Sequence, residues 1–151
     1  MSTRSDPIVV GVDATPASER ALAWAMDEAT MRACPLHVVN AWTFEPMADW
    51  QETSAQQRQS ESEALIEKLV RAASEERQEL PEVVAMSVRG DAAEELEKVS
   101  AGAAMLVVAS HTGHRLRQIV LGSTSMHCVR HSQAPVVVIP VNDRELAEVT
   151  P

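Results

Sequence analysis

AAMLVVASHTGHRLRQIVLGSTS, residues 103–125, decides how this chain folds. An apolar run ends at Ala109, a polar loop rich in Ser, His, Thr and Arg follows, and the chain then enters a helical pattern at GSTSMHCVRHS. A near-continuous apolar strand is one buried on both faces, which is the habit of parallel sheets covered by helices. The loop also holds two of the chain's five glycines, Gly113 and Gly122. It therefore sits where a strand hands over to a helix, and it raises the question of whether it cradles phosphate.

Working outward, the same alternation repeats in both directions. PIVVGVD (7–13) reads as a first strand, and in ATPAS Thr15 is a candidate N-cap with Pro16 at the first helical position, where its missing N–H costs nothing. The helix that follows carries Ala21, Leu22, Ala25 and Ala29 at helical spacing. LHVVNAW (36–42) is a second strand, and residues 43–60 read as a loop that becomes a helix with Leu65, Ile66, Leu69, Val70 and Ala73 on one face. Pro81 stops that helix and EVVAMSV (82–88) is a third strand. Gly90 turns the chain, Asp91 and Glu94 form a capping-box signature, and Leu96 and Val99 give the next helix its buried side. APVVVIPV is the last strand. This order predicts one α/β domain over 1–151: a doubly wound, flavodoxin- or Rossmann-like five-stranded parallel sheet of order 3-2-1-4-5, with helices on both faces. Such sheets bind ligands beyond the carboxyl ends of their strands, where the winding reverses, so Asp13 and Ala109 are expected to face one crevice.

Composition narrows the partners. A net charge of −9 disfavours general nucleic-acid binding, which needs a basic surface. No stretch is long enough for a membrane span, the N-terminus lacks the build of a signal peptide, and the two cysteines, Cys34 and Cys128, have no CxxC spacing. A cytoplasmic protein with reduced thiols is the expectation.

Three strings, VGVDATPASERALAWA, VRGDAAEELEKVSAGAAMLVVAS and LGSTSMHCVRHSQAPVVVIP, together resemble the universal stress protein family in order and spacing. That resemblance implies a stress-response regulator with a site for ATP or another adenine nucleotide, in those members whose loop carries G-x2-G-x9-G-[S/T]. Laid on this chain, the last pair falls on Gly122 and Ser123, but the first two glycines fall on Ala109 and Thr112. Gly113 stands one residue late, leaving eight residues instead of nine before Gly122. Ala109 at a strand end is a mild change; Thr112 is a larger one, because a β-branched residue disfavours positive φ and adds bulk. Gly122, Ser123, Thr124 and Ser125 keep the other half, a helix N-terminus whose N–H groups and dipole favour an anion, with hydroxyls as added donors. Arg115 and Arg117 stand nearby as positive charges or as solvated loop residues.

The resemblance assigns further positions. Asp13 corresponds to the family's acidic residue near adenine and ribose, although it also reads as a capping carboxylate beside Thr15. Gly11 and Val12 line the same wall, Ala41 touches the base, and His111, Thr112 and Gly113 complete the loop side. The last strand, Val136 to Val141, implies a homodimer paired edge to edge, with an edge covered by the C-terminal tail as the alternative. Protein partners are expected but not identified.

Other features are weaker. His127 and His131 have the i, i+4 spacing of a metal pair, but nothing supplies a third ligand, so no metal is expected. Ser110, His111 and Asp13 could meet at the crevice, but GxSxG, P-loop and GxGxxG motifs are absent, so no dedicated enzyme is expected. Trp42, Met47 and Trp50 read as locally packed apolar residues, with a partner-binding lid as the alternative. The reading is a nucleotide-binding regulator; its rival is a nucleotide-independent dimer that binds other proteins.

Overall fold

Ile8, Val9 and Val10 have no exposed surface, as a strand covered on both faces must. The structure, a computed structural model, describes residues 5–46, 54–110 and 121–140. The elements run β1 (Ile8–Gly11), α1 (Pro16–Arg32), β2 (Leu36–Trp42), α2 (Ala55–Glu75), β3 (Val83–Arg89), α3 (Ala92–Val99), β4 (Met105–Ala109), α4 (Ser123–His131) and β5 (Val136–Ile139). All pairings are parallel, in the order β3-β2-β1-β4-β5 that the alternation predicts. Ile8 lies opposite Leu36 on one side and Met105 on the other.

Strand alternation sorts the core into two layers. Ile8, Val10, Val38 and Val107 pack against Leu22, Ala25 and Met26 of α1 and Ile66 and Leu69 of α2. Val9, Val39, Leu106 and Val108 face the opposite way, onto Leu96 of α3 and Cys128 of α4. The chain thus winds one way from β1 through α1 and α2, and the other way from β4 through α4. Among the described residues no helix is long and apolar enough to cross a membrane.

Several local signals act as their residue types dictate. The Ser54 hydroxyl accepts from the Gln57 N–H at 3.0 Å and starts α2. The Asp91 carboxylate does the same for α3, accepting from the Glu94 N–H at 3.2 Å. Gly90 is needed for its conformation: φ is +151°, and a Cβ there would stand 2.6 Å from Glu95 Oε1. Thr15 behaves otherwise. It holds the N-cap position before Pro16, but its hydroxyl caps nothing in α1; it donates back to Asp13 Oδ1.

The end of α1 carries strain. Ala33 closes the helix with φ 52° and ψ 44°, a left-handed conformation that disfavours a Cβ, while its N–H bonds Ala29 O and Thr30 O. Ala33→Gly is expected to raise stability by about 0.5–1 kcal/mol, net of the added freedom of the unfolded chain. A urea midpoint equal to or below that of the parent chain would contradict this.

Candidate functional site

Beyond the carboxyl ends of β1, β2 and β4 the structure opens a cleft of about 580 Å³, counting the part shared with solvent. This is the point where the winding reverses, because α1 leaves β1 toward one face and α4 follows β4 on the other. Gly11, Val12, Asp13, Ala41, Ala109, Thr124 and Ser125 all line the cleft. Gly122 and Ser123 do not; they are the N-cap and first residue of the helix whose next two residues do. His111, Thr112 and Gly113, with Arg115 and Arg117, lie outside the described residues.

The wall from β1 is tightly held. Asp13 Oδ1 accepts from the Thr15 N–H at 2.9 Å as well as from the Thr15 hydroxyl, and the Asp13 N–H donates to Ser18 Oγ at 2.7 Å. Asp13 therefore does shape the entry to α1, as its capping reading requires, while its side chain remains exposed. Gly11 lines the cleft for a different reason than ligand approach. A Cβ on it would meet Leu96 Cδ1 at 2.8 Å, so the missing side chain makes room for α3.

The opposite wall is the start of α4. Its N-cap residue, Gly122, has no side chain to cap it and holds an extended backbone (φ −65°, ψ 172°), with its carbonyl accepting from the Met126 N–H at 2.9 Å. The first N–H groups of a helix have no intrahelical acceptor, and the helix dipole adds partial positive charge. Ser125 corrects part of the sequence reading. Its side chain is buried and its hydroxyl donates to Ala109 O at 2.9 Å, so it ties α4 to the end of β4 and does not serve as a free donor.

Sequence reasoning missed Thr15, Ser18, Val39, Asn40, Ala92, Leu96 and Val108 as lining residues. Asn40 had the clearest available signal, a polar residue inside a mostly apolar strand. Ala92 and Leu96 lie on α3, whose approach to the cleft depends on packing that only the fold reveals.

The neighbouring histidines pair with other groups. His127 Nε2 is 2.9 Å from Glu97 Oε2 of α3, and the His127 and His131 rings lie 4.5 Å apart, tilted by 43°. Among the described residues no three metal-ligating side chains converge. Burial pushes the Cys128 thiol up from its usual range, and Glu97 adds to that. Trp42 closes β2, with its indole N–H on Ser87 Oγ and the Arg89 guanidinium 5.9 Å from its ring centre. Met47 and Trp50 lie outside the described residues.

A family model described as the universal stress protein family matches residues 5–140. A universal stress protein of Mycobacterium tuberculosis is 32% identical over 132 residues, covering 87% of this chain and 44% of its own length. A second from that organism is 30% identical over 157 residues, covering 91% and 49%. The chain thus spans about half the length of the curated relatives it matches. Among solved structures, a universal stress protein in complex with cAMP superposes with a TM-score of 0.62 at 22% identity, covering 91% of this chain and 98% of that one. One from Archaeoglobus fulgidus in complex with dAMP gives 0.63 at 21% identity, covering 91% and 99%. At these identities the solved structures establish a shared fold.

Proposed function

The chain belongs to the universal stress protein family, and we propose that its cleft binds an adenine nucleotide as a regulatory ligand and does not turn it over. The observation that carries this reading is a juxtaposition: the start of α4, whose N-cap Gly122 has no side chain, opens on the same cleft as Asp13 and Ala41. A nucleotide is bipolar in the matching sense. Its phosphates suit the helix N-terminus, its ribose hydroxyls suit a carboxylate such as Asp13, and its flat base suits the apolar wall of Val39, Ala41 and Val108. The cAMP and dAMP complexes of fold relatives supply ligands of this class. Homodimer formation through β5 belongs to the same proposal. Val136, Val137 and Val138 are partly exposed, and β5 pairs with β4 alone among the described strands.

One observation favours the rival reading of a nucleotide-independent dimer that works by binding other proteins. The Thr15, Ser18 and Ser125 hydroxyls already bond within the chain, so this part of the cleft is satisfied without a ligand. Calorimetric titration with ATP, AMP and cyclic AMP, after stripping and identifying any co-purified nucleotide, separates the two. Binding in the micromolar range, about −8 kcal/mol, is the expected result. No heat with any of the three, and no nucleotide released on denaturation, would overturn the proposal in favour of its rival.

A further inference from the structure

β2 is apolar except for His37 and Asn40, and Asn40 is only 8% exposed. Ser62 breaks the apolar face of α2 in the same way, at 4% exposure. Buried polar side chains persist where every group finds a partner, and these two belong to one continuous chain. The Trp42 indole N–H donates to Ser87 Oγ at 3.0 Å. Ser87 Oγ donates to Ser62 Oγ at 2.7 Å, and Ser62 Oγ donates to Asn40 Oδ1 at 2.7 Å. Asn40 Nδ2 then donates to the Val12 carbonyl at 2.8 Å. An indole N–H can only donate and a backbone carbonyl can only accept, so the chain has one polarity. That polarity turns the Asn40 amide nitrogen toward Val12.

The consequence lies in the ladder between β1 and β2. Leu36 N–H donates to Glu82 O and Gly90 N–H donates to Trp42 O, both at 2.8 Å, so the even-numbered residues of β2 bond toward β3. By alternation the Val39 and Ala41 backbones turn toward β1. The last rung there is Val12 N–H to Val39 O at 2.8 Å, and the pairing ends at Gly11 opposite Val39. The next rung would join Ala41 N–H to Val12 O. Asn40 occupies that carbonyl, while Asp13 N–H turns away to Ser18. Ala41 therefore keeps an adjacent donor and acceptor facing the cleft it lines.

We propose that Asn40, oriented through Ser62 and Ser87 by Trp42, is a positioning residue that ends the β1–β2 ladder one rung early and so leaves the Ala41 N–H and C=O to read the edge of the base. The inference rests on the adenine-nucleotide reading for its ligand, but not for its geometry. Adenine offers an acceptor at N1 beside a donor at N6, matching this pair; hypoxanthine reverses the two.

The test uses the whole chain and two variants, Asn40→Val and Ser62→Ala. Amide hydrogen exchange followed by NMR, without nucleotide, reads the ladder directly. In the parent chain the Ala41 amide should exchange much faster than that of Val39. In Asn40→Val the freed Val12 carbonyl accepts from Ala41, whose protection should rise roughly tenfold while its neighbours stay level. An Ala41 amide as protected as Val39 in the parent overturns the proposal, as does no specific change in the variant. A merely structural Asn40 would speed exchange across both strands instead. The second readout is affinity for AMP against IMP. Both variants should lose roughly tenfold for AMP, the scale of a hydrogen bond, with little change for IMP. If Asn40→Val does not fold, Ser62→Ala, which leaves the strand untouched, is judged by the same two readouts and should show the same direction. If the parent binds neither nucleotide, the functional reading fails while the exchange result still judges Asn40.

Discussion

Gly122→Val is expected to abolish nucleotide binding, weakening it by at least about 100-fold, while the chain folds as before. Two facts separate the effects. Gly122 sits in an extended conformation that valine adopts readily, so the backbone does not require glycine there. Its carbonyl still accepts from the Met126 N–H, because that bond involves no side chain. The cost to stability is then the difference between glycine and valine at an N-cap, about 1 kcal/mol. The cost to binding is larger, since an isopropyl group at the mouth of the helix stands where a phosphate must approach the first N–H groups. A loss of 100-fold corresponds to about 2.7 kcal/mol, which displacement of a phosphate from its donors readily supplies. Calorimetry beside a urea melt measures both. Unchanged affinity in a folded variant would move the phosphates away from α4, and with them the site proposed here.

Much of the architecture was legible because it depends on pattern. The run Leu36–Trp42 matches its predicted strand residue for residue, and Asp91 with Glu94 makes the cap its spacing implies. Boundaries moved by a residue or two, as with β3 at Val83–Arg89, where side-chain pattern says little about which backbone rung is last. The site was legible to the extent that it follows from topology. Once β1 lies beside β4, Asp13 and Ala109 must share a crevice, and both line it. Part of what escaped depends on three elements meeting. Asn40, Ser62 and Ser87 come from β2, α2 and β3, and no spacing in the sequence joins them. Ser125 read as one donor among several because its acceptor, Ala109 O, is sixteen positions away in sequence. Thr15 has the residue type of an N-cap, yet Asp13 competes for its hydroxyl, and only the turn geometry decides between them. Of the two positions where the loop departs from glycine, Ala109 ends β4 and lines the cleft, while Thr112, with Gly113, lies outside the described residues.

Gly11 carries the second large expectation, because its lack of a side chain is explained by packing. Gly11→Val places Cβ 2.8 Å from Leu96 Cδ1 before its methyl groups are counted, in a layer where Val9, Val39 and Val108 leave little room to yield. Overpacking of this kind costs about 2–3 kcal/mol. Leu96→Ala, at a side chain only 5% exposed, should cost about 2–4 kcal/mol by itself through the cavity it leaves. The two changes are complementary in shape, since the removed leucine makes the space that the valine needs. The double variant should therefore be more stable than the sum of the single losses predicts, with a coupling of about 1–2 kcal/mol. Urea unfolding of the four proteins closes the cycle. Simple additivity would mean that Leu96 does not govern Gly11, and that the glycine is kept for the ligand's approach after all. In that event Gly11→Ala should weaken nucleotide binding without a matching loss of stability. Coupling with intact binding in the double variant would instead place the glycine's role in seating α3 against the sheet, one step removed from the ligand.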